Sequence, residues 1–250
     1  MQQPFKIIAH RGASYEAPEN TMAAIRLAWQ KQADAVEVDV HLSKDGQVVV
    51  IHDAHTRRTV GLNKDVRKQT FAELQQLDAG SWKDTRWQNE RIPSLHRVLD
   101  SIPPGRNLFI EIKGGPACLP AVQADLHRAG VSLKNITIMD FNFDGVRQAR
   151  ELFPHCNILW LLSLSVFTRN YSNLLRRAAD AGIDGLNFDR RMSIDQNRVD
   201  LCRKAGLTCY VWTVNNIDEA HRFRSMGISG ITTDRPGWMR EQLQKKSFNG

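Results

Sequence analysis

The chain has 250 residues, 42% of them hydrophobic and 24% charged, with a formal net charge of +7. That balance is ordinary for a globular protein able to bury a sizeable core, and no apolar run approaches the length that spans a bilayer. The basic residues are spread along the chain in short pairs such as Arg57-Arg58 and Arg176-Arg177, without interleaved aromatics, so the charge reads as a solvated face rather than a nucleic-acid footprint.

Phe5 to His10 is a first short strand that runs into a turn at Arg11-Gly12-Ala13-Ser14. Pro18-Glu19-Asn20-Thr21 opens a helix, since Pro suits a first turn and Asn or Thr can cap orphan N–H groups. Ile25, Ala28 and Trp29 form its apolar stripe. Ala35 to Leu42 is a second, buried strand, and Ser43-Lys44-Asp45-Gly46 turns the chain back into an antiparallel strand ending at His52-Asp53. From about residue 43 to 93 the regular pattern breaks. This stretch is expected to be a small inserted subdomain anchored by Phe71, Trp82 and Trp87, with a helix around Phe71 to Leu77.

Ser94 caps a helix that Pro103-Pro104-Gly105 stops, and strands then alternate regularly with helices. The strands are Leu108 to Lys113, Ile136 to Phe141, Ile158 to Ser163, Gly185 to Asp189, Thr208 to Val214 and Gly230 to Asp234. Strands separated by helices pair in parallel, because a parallel return needs a crossover. Eight such units predict one domain over residues 1–250, an α/β fold closed as a (β/α)8 TIM barrel with the insertion after its second strand. An open doubly wound sheet is the competitor, but Arg11-Gly12-Ala13 is not its glycine-rich first turn.

Active sites of such barrels sit at the C-terminal strand ends, and the polar residues cluster there. Alternation along a strand points Glu37 and Asp39 to one face, where two buried carboxylates repel and need a positive partner. Glu111, on a neighbouring strand roughly 4.8 Å away, can join them. Three carboxylates without a Cys or His cluster suit one hard divalent cation, Mg2+ or Ca2+. Lys113 shares the face of Glu111 and suits an anionic phosphate. His10 and His52 each end a strand beside this cage and are candidates for an acid–base pair. Trp212 and Phe141 could wall the pocket or pack in the core, and His41 reads as rim. The four cysteines, Cys118, Cys156, Cys202 and Cys209, lack metal-ligand spacing. As free thiols, together with an N-terminus that lacks the pattern of a secretion signal, they lead to an expected cytoplasmic location.

His10-Arg11-Gly12, Pro18-Glu19-Asn20-Thr21, Glu37-Val38-Asp39-Val40, Lys44-Asp45-Gly46, His52-Asp53 and Glu111-Ile112-Lys113, in this order, resemble the glycerophosphodiester phosphodiesterase family, in particular its cytoplasmic bacterial members. The resemblance implies a barrel that hydrolyses glycerophosphodiesters to an alcohol and sn-glycerol 3-phosphate, through a cyclic phosphate formed by the glycerol 2-hydroxyl. By position it implies that Glu37, Asp39 and Glu111 ligate the metal, that His10 and His52 are the acid–base pair, and that Arg11 and Lys113 hold the phosphate. One departure is visible: Met139-Asp140-Phe141 stands where family members often carry two serines before the phenylalanine. The partner is then a small-molecule diester, with neither nucleic acid nor a stable membrane association. The alternatives are a phospholipase-type enzyme acting on phosphoinositides or sphingomyelin, and a non-catalytic barrel that binds a phosphate ligand.

Overall fold

The computed structural model describes residues 4–164 and 171–245. Met1–Gln3, which begin the stretch expected to carry no secretion signal, lie outside the described residues. The first strand β1 (Lys6–His10) leads to helix α1 (Met22–Gln30), whose N-cap Thr21 accepts from the Ala24 N–H. Strand β2 (Ala35–Leu42) returns through β3 (Val48–Val50), which pairs with it antiparallel as the Asp45-Gly46 turn predicts. The segment between β3 and β4 (Asn107–Ile112) carries the short helices α2 (Arg57–Val60), α3 (Phe71–Gln75) and α4 (Leu95–Leu99).

Six more strand–helix units follow from β4. They pair it with α5 (Leu119–Ala129), β5 (Ile136–Asp140) with α6 (Phe143–Leu152), and β6 (Asn157–Leu162) with α7 (Tyr171–Asp180). Then come β7 (Gly185–Asp189) with α8 (Gln196–Lys204), β8 (Thr208–Trp212) with α9 (Ile217–Ser225), and β9 (Gly230–Thr233) with α10 (Pro236–Lys245). Among the described residues, eight parallel strands run in the order β1-β9-β8-β7-β6-β5-β4-β2, and β1 pairs with β2 to close the ring. That closure makes the fold a (β/α)8 TIM barrel and excludes the open sheet.

Strand alternation divides the core in two. Outward residues such as Val36, Ile110, Ile138 and Val211 pack against the helices. Inward residues Ile8, Ala35, Phe109, Met139, Leu159, Leu161 and Tyr210 fill the barrel, with Phe109 and Tyr210 edge-to-face at 5.5 Å. A third cluster, Val49, Ile51, Val66, Leu74, Ala79 and Ile92, sits under the segment after β2. Its anchors differ from those expected. Phe71 packs at its margin, whereas Trp82 is 40% exposed and donates Nε1 to the Ala79 carbonyl at 2.9 Å. Aliphatic residues from β3, from α3 and from the connecting segments do the packing that the tryptophans suggested.

Phe109 is 1% exposed in the barrel interior, where neighbouring strands cannot collapse inward without breaking the closed ladder. Phe109→Ala should therefore cost about 3–5 kcal/mol of unfolding free energy, read as a lower denaturant midpoint at unchanged m-value.

Candidate active site

The site begins at the turn after β1. Arg11 and Gly12 both take left-handed backbone conformations, with φ of 54° and 83°. Gly12 is required here, because a Cβ on it would lie 2.5 Å from the Ala24 carbonyl carbon of α1. The turn aims the Arg11 backbone N–H at Glu37 Oε2, 2.9 Å away, and brings Arg11 Nε to 3.1 Å from Asp39 Oδ2. Asn20, also at positive φ, donates Nδ2 to that same Asp39 Oδ2 at 2.9 Å. Parallel register sets His10 beside Glu37 and Asp39 beside Glu111.

One oxygen of each carboxylate is thereby pinned on β2, and the others are left facing inward. Glu37, Asp39 and Glu111 are buried, at 3%, 1% and 8% exposure, and one oxygen from each lies within 4.8 Å of the other two. Glu37 Oε1, Asp39 Oδ1 and Glu111 Oε1 lack a hydrogen bond of normal geometry. Lys113 Nζ supplies charge to two of them, at 2.5 Å from Glu111 Oε1 and 3.5 Å from Asp39 Oδ1. Three buried, hard oxygen donors converging on one space fit a divalent cation.

The electrostatics report the same crowding. Burial and the neighbouring Asp39 and Glu111 charges hold the Glu37 carboxyl well above its ordinary pKa. Burial and Asp39 push Glu111 up to about 7, against the pull of Lys113. Burial also works to raise Asp39, but Arg11, Lys113, His52 and Asn20 outweigh it and hold that carboxyl below its usual value.

Each candidate histidine is tethered through Nδ1 to a carboxylate, which directs Nε2 toward other work. His10 Nδ1 lies 2.7 Å from Asp234 Oδ1, and His52 Nδ1 lies 2.6 Å from Asp53 Oδ1. Asp234 also accepts from Asn215 and Ser14. Burial would raise the Asp53 and Asp234 pKa values, but the bonds from Arg58 and His52 hold Asp53, and those from His10, Asn215 and Ser14 hold Asp234, at about 2. Burial lowers the His52 pKa, and the Asp39 charge only partly offsets it.

A cavity of about 190 Å3 opens among these groups. His10, Arg11, Glu37, His52, Glu111, Lys113 and Trp212 all line it, and Asp39 clusters with the two lining acids. Trp212 stands edge-to-face on Phe141 at 5.6 Å. His41 is not at the rim. It is 4% exposed, and its Nε2 meets the His52 carbonyl at 3.1 Å, because β2 continues under the chain leaving β3. Sequence reasoning missed the supporting groups Glu19, Asn20, Asp53, Arg58 and Asp234. Arg58 grips Glu19 through both terminal nitrogens, at 2.7 and 2.8 Å, and Asp53 through Nε at 2.7 Å. Glu19 in turn holds Arg11 at 2.8 Å. The signal was the charge within Pro18-Glu19-Asn20-Thr21 and His52-Asp53, which read as caps and strand ends.

The profile of the glycerophosphoryl diester phosphodiesterase family matches residues 10–238. A glycerophosphodiester phosphodiesterase of Caldanaerobacter subterraneus is 34% identical over 92% of this chain and 94% of its own. The Bacillus subtilis protein YhdW is 40% identical over 93% and 96%. An Oleispira antarctica phosphodiesterase, solved with its product sn-glycerol-3-phosphate, superposes with a TM-score of 0.89 at 30% identity over 97% of both chains.

A carboxyl whose folded pKa is raised binds protons more tightly when folded, so its share of stability is present below the unfolded pKa and is lost as pH rises through the folded value. Glu37 and Glu111 both fall in this class. Chelator-treated protein should therefore melt at a lower temperature at pH 8 than at pH 6, and Glu111→Gln should flatten that slope in a fluorimetric melt.

Proposed function

The chain belongs to the glycerophosphoryl diester phosphodiesterase family, and from that premise we propose that it hydrolyses glycerophosphodiesters to an alcohol and sn-glycerol 3-phosphate. The observation that carries the reading is the convergence on one cavity of three buried acids, two carboxylate-tethered imidazoles, Arg11 and Lys113.

Glu37, Asp39 and Glu111 would hold one divalent cation, Mg2+ or Ca2+, which when bound supplies Lewis-acid polarisation of a phosphoryl oxygen. Lys113 adds a fixed positive charge beside that oxygen, stabilising the negative charge that builds on it. Arg11 presents donors to the phosphate from a side chain held by Asp39 and Glu19. Of His10 and His52, one imidazole removes a proton from the nucleophile and the other protonates the leaving alkoxide. The nucleophile is first the glycerol 2-hydroxyl, which gives a cyclic phosphate that water then opens. Asp234 and Asp53 keep each imidazole in one tautomer and stabilise its cationic form. The substrate is a free small molecule. Residues 1–250 act as one catalytic domain in which 43–93 is a small inserted subdomain, a reading supported by the separate apolar cluster beneath it. A cytoplasmic location is supported by four buried, unpaired thiols. None of the described helices is long and apolar enough to cross a membrane.

His10→Ala and His52→Ala should each lower the rate of glycerol 3-phosphate release from glycerophosphocholine by roughly 10²-fold or more, and a chelator should abolish it. Near-normal turnover by either purified variant sinks the two-histidine assignment. Adding Mg2+ or Ca2+ to the chelated protein should raise its melting temperature, and Asp39→Asn should remove that rise.

A further inference from the structure

One cation beside the site stays clear of the space where the diester would sit. Arg58, on α2, is not among the residues lining the cavity, and its side chain is 42% exposed. Its guanidinium is nevertheless fully committed. Nη1 and Nη2 fork onto the two oxygens of Glu19, at 2.7 and 2.8 Å, and Nε donates to Asp53 Oδ2 at 2.7 Å. Both carboxylates have a second partner in the site. Glu19 Oε1 also accepts from Arg11 Nη1 at 2.8 Å, and Asp53 Oδ1 lies 2.6 Å from His52 Nδ1. Burial would raise the Glu19 carboxyl, but Arg58 and Arg11 hold it below its ordinary pKa.

Stability alone is a poor reason for this arrangement, because water screens exposed ion pairs and each contributes little. Geometry is a better one. A planar fork that meets two carboxylates fixes their separation and their orientation together. Glu19 lies in the turn before α1, and Asp53 lies in the chain leaving β3. Arg58 ties these two loops to each other from a third. The third loop can aim it because its own backbone is pinned. Thr56 Oγ1 donates to the Leu62 carbonyl at 2.6 Å, and Val60 packs against the apolar cluster under the segment. His10 stands outside this set of contacts, with Asp234 as its tether.

Resting on the proposed hydrolysis, we propose that Arg58 is a positioning residue of the reaction: seated between Glu19 and Asp53, it holds the Arg11 guanidinium and the His52 imidazole as one unit. The segment after β3 then contributes to turnover without touching the diester.

The test measures glycerol 3-phosphate release from glycerophosphocholine. Arg58→Ala should lower kcat by roughly 10–100-fold, as removal of a group behind a reacting side chain does, and should raise KM, because Arg11 loses the group that steadies Glu19. Asp53→Asn should lower kcat with KM little changed, since Asp53 holds only the imidazole. Arg58→Lys should fall as far as Arg58→Ala, because an ammonium cannot fork onto Glu19 while also donating to Asp53. Arg58→Ala combined with Asp53→Asn should lose much less in kcat than the product of the two single losses, because both act on His52. Combined with Asp234→Asn it should lose the full product, because that carboxylate serves the other imidazole. Guanidinium ion below denaturing concentration should restore part of the Arg58→Ala rate and none of the His52→Ala rate. Arg58→Ala should also keep the rise in melting temperature that Mg2+ or Ca2+ produces, since Glu37, Asp39 and Glu111 retain their own contacts. If Arg58→Ala fails to fold by circular dichroism, Arg58→Lys carries the same comparisons. Near-normal kcat in the Arg58 variants, losses that multiply in the Asp53→Asn background, or loss of the cation-induced rise overturns the positioning role and leaves the hydrolase reading standing. Release of no glycerol 3-phosphate by wild type overturns both.

Discussion

Three carboxylates share a space in which none can be fully hydrated, and the upper half of the barrel is arranged around that strain. Left alone, Glu37, Asp39 and Glu111 would protonate, as the raised pKa values of Glu37 and Glu111 record. Asp39 escapes because Arg11, Lys113 and Asn20 all reach it. The cluster is therefore graded: one acid held ionised by three neighbours, two others waiting for a charge. Buried like charges are tolerated only where a partner is present for at least part of the protein's life. A cation is the partner that would satisfy all three inward oxygens at once.

The positive groups that stabilise this cluster are themselves held by anions farther out. Arg11 leans on Glu19, Glu19 on Arg58, Arg58 on Asp53, and Asp53 on His52. Charge alternates at every step of that chain, so each ion pair reduces the field of the next. Exposed ion pairs contribute little singly, but a forked guanidinium that grips two carboxylates also fixes their directions. Arg58 lies on α2, inside the segment after β3, while Arg11 lies in the turn after β1. The segment after β3 thus takes part in orienting both the Arg11 guanidinium and the His52 imidazole. His10 has its own tether to Asp234 on the far side of β1. The two imidazoles are oriented by separate carboxylates.

Much of this was legible in the residues alone. Period-two alternation put Glu37 with Asp39 and Glu111 with Lys113, and the parallel register then needed only the standard strand spacing to bring them together. The regular strand–helix alternation from Leu108 onward carried the barrel. What could not be read was anything set by a turn or by a long-range contact. The left-handed Arg11-Gly12 turn makes a backbone N–H into a ligand for Glu37, and no pattern of side chains announces that. Arg58 looked like half of a solvated basic pair because its partners are 5 and 39 residues away. Trp82 looked like an anchor because of its size, although short aliphatic residues fill that core.

Asn187 and Thr232, which also line the cavity, were overlooked for a related reason. Within Gly185-Leu186-Asn187-Phe188-Asp189 and Gly230-Ile231-Thr232-Thr233-Asp234 a single small polar residue is indistinguishable from strand punctuation. Strand parity turns each of them inward, yet parity alone does not say whether the barrel at that level is packed or hollow. The answer depends on how far the side chains of the other strands reach. Phe109 and Tyr210 pack edge-to-face within the interior, while Glu37, Glu111 and Lys113 line an open cavity. An amide enclosed by packed side chains would be a destabilising polar group. Asn187 instead lines the cavity, so its side-chain oxygen faces open space. The cavity on this side of the barrel exists because the interior packing stops short of it.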